Sequence, residues 1–213
     1  MKNVAILLSG RGSNFLALSD AIEAGSIPAR IVLVVSNVPD AAGLEHARKR
    51  NYEAVCLPSA GIEREVYDRQ VVERLQAAEA EVVCLAGFMR LLSPWFVRQY
   101  PHRILNIHPS LLPAFPGLHG PGQALAWGAK VSGCTVHLVD EELDHGPIIL
   151  QQAVPVLDND TEETLSARIL EIEHQIYPKA LQFLCEGKVV VTDRRVRAPK
   201  NDTPSSGDGR PDL

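Results

Sequence analysis

The sequence predicts an α/β fold: a doubly wound, mostly parallel sheet flanked by helices, with an antiparallel pair in the C-terminal half. Three observations predict it. Apolar runs at residues 4–8, 31–35 and 82–86 do not alternate with polar residues, as expected of strands covered on both faces. Helical segments separate these runs through short loops, the pattern of a doubly wound sheet. Beyond Pro113 the chain turns to two strand-like stretches around a tight acidic turn, which suits an antiparallel pair.

Each element follows in order. The strand at 4–8 feeds a Gly-rich turn and a helix over 14–24. A strand at 31–35 precedes a helix over 42–50, and a short strand at 54–57 leads to a long helix over 64–78. After the strand at 82–86 come a short helix at 94–100 and a strand at 103–107. Residues 114–122, rich in Pro and Gly, read as a loop, and 123–129 as a short helix. Strands at 131–139 and 147–156 flank the turn at 140–146. The last helix is expected to open with Asp160 and Glu163 as a capping box. Its apolar stripe is Leu165, Ile169, Ile172, Ile176, Ala180 and Phe183, with a kink at Pro178 and an end at Gly187. Val189, Val190 and Val191 suit an edge strand. Residues 1–197 are expected to form one domain in two halves, 1–100 and 101–197, and the polar stretch 198–213 a disordered tail.

Composition narrows the function classes. A chain of 213 residues with 46% hydrophobic and 22% charged residues is ordinary for a soluble globular protein. The net charge of −5 argues against a general nucleic-acid binder, although a local loop can still hold a small anion. No apolar run approaches the roughly 20 residues needed to span a membrane. Strand character begins immediately after Met1, so no signal peptide is expected. Cys56, Cys84, Cys134 and Cys185 are scattered, which suits reduced, buried thiols in a cytoplasmic protein. The histidines, His108, His119, His137 and His145 among them, form no recognised ligand spacing, so no metal is expected.

Three constellations can carry chemistry. Ser9-Gly10-Arg11-Gly12-Ser13-Asn14 lies between the first strand and first helix, where backbone N–H groups can face an anion. It lacks the third Gly of a dinucleotide fingerprint, since residue 15 is Phe, and a Gly-rich turn with Ser13 or Asn14 as helix cap is an equal alternative. Asn106 and His108 stand two apart at a strand end and so project to one face. An imidazole suits acid–base work near neutrality, and an amide N–H can meet a developing oxyanion. For an isolated pair, a satisfied core Asn and His would be the plainer reading. The three segments 10–14, 87–90 and 106–108, however, all follow C-terminal strand ends, the edge where open α/β sheets bind ligands. The third constellation is the turn Asp140-Glu141-Glu142-Leu143-Asp144-His145-Gly146. Such a run is usually a solvated face, but one carboxylate, Asp144, could fold over His108 and orient it.

At these residues the chain resembles the phosphoribosylglycinamide formyltransferase family, the folate-dependent enzymes of purine synthesis. The likeness runs from about residue 3 to 190. It is carried by Ser9 to Asn14, Ser36-Asn37, Arg64 to Asp68, Leu85 to Pro94, Asn106 to Pro113, Pro116 to His119, Gln123 to Leu125, Gly133 to His137, Leu143 to Pro147 and Glu173-His174. The resemblance implies direct transfer of a formyl group from 10-formyltetrahydrofolate to the amine of glycinamide ribonucleotide, with no metal. It implies a catalytic trio of Asn106, His108 and Asp144. Gly12, Ser13 and Asn14 would hold the substrate phosphate, and Glu173 its glycinamide–ribose part. Arg64, Met89, Arg90, Leu91, Leu92, Asn106, Asp140 and Asp144 would form the folate site. Residues 1–100 then become the phosphate-binding half and 101–197 the catalytic and folate half. The partners expected are these two small molecules, with no nucleic acid and no membrane, for a cytoplasmic monomer or homodimer. His119-Gly120-Pro121-Gly122-Gln123 departs from the family's pattern, which often has His and Arg-type residues before Gln-Ala-Leu. That bears on a local loop and leaves the trio untouched.

Methionyl-tRNA formyltransferase shares the Asn-x-His and Asp pieces but carries a further C-terminal domain. Formyltetrahydrofolate hydrolase carries an additional N-terminal one. Both are disfavoured on length, and the acidic balance disfavours tRNA. A non-catalytic nucleotide-binding module would tolerate His108→Ala, whereas the enzyme reading expects that change to abolish turnover with folding retained.

Overall fold

The structure, a computed structural model, describes residues 1–197. The tail expected at 198–213 lies outside the described residues. In chain order the elements are β1 (Lys2–Leu8), α1 (Ser13–Glu23), β2 (Ala29–Ser36), α2 (Ala42–Lys49), β3 (Ala54–Cys56), α3 (Arg64–Ala77), β4 (Val82–Leu85), α4 (Pro94–Gln99) and β5 (Ile104–His108). Then follow α5 (Gly120–Ala126), β6 (Val131–Leu138), β7 (Ile148–Pro155), α6 (Glu162–Cys185), β8 (Val190–Thr192) and β9 (Arg195–Arg197).

All strands join one sheet in the order β3-β2-β1-β4-β5-β6-β7-β9-β8. The first five pair in parallel, whereas β6 is antiparallel to both β5 and β7. The predicted fold class is therefore what the chain adopts. Strand order runs outward from β1 in one direction and from β4 in the other, so the topological switch point lies between β1 and β4. There the connections leave to opposite faces and open a crevice at the C-terminal strand ends.

The near-continuous apolar strands are explained by the two layers that cover them. One face packs Phe15, Leu18, Leu44 and Ala47 from α1 and α2 with Leu165, Ile169 and Ile176 from α6. The other packs Tyr67, Val71 and Leu75 from α3 with Phe96 and Val97 from α4. Along β5 the alternation is visible: Leu105 and Ile107 join the first layer and Ile104 the second. Asn106 and His108 share the face of Ile104 but lie beyond the reach of α3 and α4, where that face opens to a cleft.

Some details differ from the sequence expectation. The short helix α5 starts at Gly120, not at 123, because Pro121 sits in the first turn, where a missing N–H costs nothing. The cap of α6 is Thr161, reciprocated by Thr164, rather than Asp160 with Glu163. Asp160 instead accepts from Leu157 N (2.7 Å) and from both Arg168 Nη atoms (2.7 and 2.8 Å). Pro178 lies inside the unbroken α6. The edge strand at 190–192 forms as expected, but its partner β9, too short to read from the sequence, inserts between it and β7.

Candidate active site

Strand β5 delivers Asn106 and His108 to the floor of a cleft of about 460 Å³. Its walls include Arg64 at the start of α3, residues 87–92 after β4, His119, His137 and the turn 139–144. His108 is 5% exposed. Its Nδ1 stands 3.3 Å from Asp144 Oδ2, and its Nε2 stands 2.9 Å from the Phe115 carbonyl oxygen. Both ring nitrogens thus face oxygen acceptors, and only an imidazolium can donate to both. The expected fold-back of Asp144 over His108 is present.

The turn that carries Asp144 is shaped for it. Asp144 adopts a left-handed φ of 51°, a conformation Asp tolerates better than most residues. Gly117 N donates to its Oδ2 at 2.7 Å, so the carboxylate also ties down the loop after β5. Gly146 admits no side chain, since a Cβ there would lie 1.9 Å from the Leu138 carbonyl oxygen.

Asn106 is oriented by a residue that the sequence reading did not assign. His137, opposite it on β6, is 2% exposed. Its Nδ1 lies 2.9 Å from the Leu138 carbonyl, so that nitrogen carries the proton. Nε2 is then an acceptor, and Asn106 Nδ2 donates to it across 3.1 Å. Burial pushes the His137 proton affinity down, against the opposing pull of the Leu138 carbonyl and Asp144, which keeps Nε2 free to accept. The second amide hydrogen of Asn106 remains for a ligand. Sequence spacing offered only a weak signal for His137, one of several polar residues in β6 beside Ser132 and Thr135.

The loop after β4 is pinned from beneath. Asp68, fully buried on α3, accepts from Ser93 N at 2.6 Å, and Ser93 caps α4. Arg90 stacks over Tyr67 at 4.6 Å and donates to the carbonyls of Ser59 (3.2 Å) and Ile62 (3.4 Å). Its Nε–H is buried without a protein partner. Met89 and Leu91 at this rim, with Leu118 and Leu143 opposite, are exposed apolar side chains. An apolar slot with an unsatisfied guanidinium N–H, and a second guanidinium at Arg64, fits a flat heterocycle with a polar or anionic extension.

The Gly-rich loop lies beside this cleft and does not line it. Gly12, at φ 79°, is the N-cap of α1, and no side chain caps the helix. The alternative of Ser13 or Asn14 as cap therefore fails. A Cβ on Gly12 would meet Gly43 Cα at 2.7 Å, so this turn packs backbone against backbone. First-turn N–H groups left without a side-chain acceptor suit an anion. Asn14 is 8% exposed, and its Nδ2 donates to Glu173 Oε2 at 2.8 Å, which joins two residues 159 apart in sequence. Among the described residues Asn14 Oδ1 has no partner. Burial raises the Glu173 proton affinity, partly offset by the Asn14 bond. Ser13 borders a separate open hollow between α1 and α6. The two loops are nevertheless linked, because Met89 N donates to Ser9 Oγ (2.8 Å) and Ser9 N to the Gly87 carbonyl (3.0 Å).

The formyl transferase family matches residues 2–181. The chain belongs to that family. Phosphoribosylglycinamide formyltransferase of Escherichia coli (strain K12) is 45% identical over 188 residues, which cover 88% of this chain and 89% of that protein. The trifunctional purine biosynthetic protein adenosine-3 of Drosophila pseudoobscura pseudoobscura is 50% identical over 206 residues, 95% of this chain, but the chain spans only 15% of that relative's length. Among solved structures, glycinamide ribonucleotide transformylase 1 from Symbiobacterium toebii superimposes with a TM-score of 0.91 at 49% identity, covering 94% of this chain and 95% of that one.

Within this formyl transferase the departure at 120–122 has a local meaning. Gly120 sits where a side chain would intrude, since a Cβ there would lie 2.9 Å from the Pro109 carbonyl oxygen, while Gly122 leaves room for the flexible Glu162 carboxylate, whose Oε2 would lie 2.9 Å from a Cβ. Glu162 also holds His119 Nδ1 at 3.0 Å, so the start of α5 packs against the start of α6 at the cleft rim. Among the described residues no helix is long and apolar enough to cross a membrane, and no group of three or more His, Cys, Asp or Glu is arranged to hold a metal ion.

Proposed function

We propose that the chain transfers the formyl group of 10-formyltetrahydrofolate directly to the amine of glycinamide ribonucleotide. The observation that carries this reading is the placement of Asn106, His108 and Asp144 together on the floor of the apolar cleft, all three lining it. The folate supplies an activated formyl carbon. A C–N bond forms from the amine to that carbon, the bond from the formyl carbon to folate nitrogen breaks, and one proton passes overall from the amine to the folate nitrogen. Negative charge develops on the formyl oxygen during attack. Asn106 Nδ2 is the donor that can meet it, and an imidazolium at His108, whose two N–H groups face Asp144 and the Phe115 carbonyl, adds positive charge beside it while the Asp144 carboxylate orients the ring. Solvent in the cleft can relay the proton.

In this reading Arg64, Met89, Arg90, Leu91, Leu92 and Asp140 hold the folate. Gly12, Ser13 and Asn14 hold the phosphate, and Glu173 holds the ribosyl–glycinamide part. The halves 1–100 and 101–197 divide the same way, into a phosphate side and a formyl side. The chemistry calls for no metal, nucleic acid or membrane, and we place the enzyme in the cytoplasm as a monomer or homodimer.

The test mixes purified protein with glycinamide ribonucleotide and 10-formyltetrahydrofolate and follows deformylated folate. Turnover that depends on the amine supports the reading. Folate deformylated at the same rate without the amine would make the protein a hydrolase and sink it. His108→Ala should abolish turnover with folding retained, and unchanged function in that variant would favour a non-catalytic binding module.

A further inference from the structure

A short hairpin at the far edge of the sheet reaches back to the acidic turn. Strands β8 and β9 are joined by Asp193 and Arg194, with Asp193 at φ 55°, and β9 pairs with β7 where Arg195 meets Ile148. That pairing brings Arg194 to His145. Arg194 Nη2 donates to the His145 carbonyl oxygen at 2.6 Å, and Nη1 lies 2.6 Å from His145 Nε2 and 3.1 Å from its Nδ1. His145 Nδ1 in turn stands 2.8 Å from Asp140 Oδ2. The proton assignment follows from the partners. A carboxylate can only accept, so Nδ1 carries the hydrogen toward Asp140, and the guanidinium, close to both ring nitrogens, packs on the imidazole. Asp140 spends its other oxygen on Glu142 N at 3.0 Å. Arg194 therefore packs on the ring that holds Asp140, while the second arm of the same guanidinium holds the main chain next to Asp144.

We propose that Arg194 is a positioning residue for the cleft: it fixes the 140–146 turn through His145 and so presets the Asp140 wall against which the folate lies. Arg194 itself does not line the cleft. A planar guanidinium suits it, since one group can pack on a ring and donate to a carbonyl at once. Without the brace, the turn keeps the Gly117–Asp144 bond and the Arg98–Glu141 pair, but the His145 ring that bonds Asp140 is no longer held in place. The inference rests on the folate reading of this cleft, and its test separates the two.

Amide hydrogen exchange of residues 140–146 is measured in the ligand-free protein, and tetrahydrofolate is titrated by fluorescence, for wild type, Arg194→Ala, His145→Ala, the double variant and Asp140→Ala. Arg194→Ala is expected to speed exchange in the turn and to weaken tetrahydrofolate about tenfold, the weight of one charge-assisted hydrogen bond. Affinity for glycinamide ribonucleotide and exchange in β1 and β2 should not change, which a general loss of stability would not spare. Because part of the Arg194 effect runs through the His145 ring, the double variant should lose less than the sum of the two single losses. Unchanged exchange in Arg194→Ala, or additive losses in the double variant, would overturn the proposal. If Asp140→Ala weakens tetrahydrofolate and Arg194→Ala does not, the brace fails and the folate site stands. If Asp140→Ala has no effect on tetrahydrofolate, the folate reading of this wall fails, and the exchange rates alone then decide the brace.

Discussion

Asn106 can serve an oxyanion only if its amide nitrogen, not its oxygen, faces the cleft. The buried His137 sets that orientation by presenting a lone pair at 3.1 Å from Nδ2. Removing the amide in Asn106→Ala should lower kcat by about 10²–10³ and leave the fold intact by circular dichroism. An equal loss confined to KM would instead mean that Asn106 only binds. His137 carries a separate, thermodynamic signature. Burial depresses its proton affinity below the ordinary value of 6.5, so below that pH the unfolded chain takes up a proton that the native state refuses. Its contribution to stability is therefore present above 6.5 and is lost as pH falls through the lower native value. Urea denaturation from about pH 7 to about pH 5 should show stability falling by up to roughly 1.4 kcal/mol per unit from this group. His137→Gln should flatten that slope; an unchanged slope would mean His137 is not the group responsible. At this scale the sequence was half legible. Asn106 and His108 stood out because polar residues two apart interrupt an apolar strand. The sequence alone left the fold-back of Asp144 open, because a contact across 36 positions depends on where β6 and β7 meet. His137 was hidden for the same reason, its role arising only from cross-strand register with Asn106.

Whole elements were easier to read than their ends. The strands followed from uninterrupted apolar runs and the long helices from their stripes, because burial on a sheet or on one helix face demands those patterns. The ends depend on single hydrogen bonds. At α6 the sequence expectation was Asp160, and Thr161 beside it is also a residue type that caps. Thr161 wins because its side chain accepts from Thr164 N, while Asp160 is taken up by Leu157 N and Arg168. Thr161→Ala should thus cost about 1 kcal/mol in denaturant midpoint experiments. A cost near zero would mean that Thr164 and the neighbouring carboxylates hold the helix start without it. The start of α5 was misread because Gly-Pro-Gly signals a loop, yet Pro fits a first turn and each glycine makes room for a close neighbour.

Over the whole molecule, the site divides between the two halves of the chain, and helix α6 joins them. Glu173 reaches Asn14 beside β1, and one turn further Tyr177, fully buried, donates its hydroxyl to the carbonyls of Leu85 on β4 (2.9 Å) and Leu105 on β5 (3.2 Å). These strands lie at and next to the switch point, so α6 clamps the strand ends that carry the Gly-rich loop, the 87–92 loop and Asn106. A continuous sheet with a shared clamp should open as one cooperative unit rather than as two halves. Tyr177→Phe tests this, because it leaves the packing of the ring in place and removes a buried donor from two carbonyls. The expected loss is about 1–3 kcal/mol. Native-state hydrogen exchange should show that loss equally in the slowest amides of β2, deep in the N-terminal half, and of β6, in the C-terminal half. If only one of the two strands responds, the halves open independently, and the geometry joining Asn14 to Asn106 would have to be held by the loops alone.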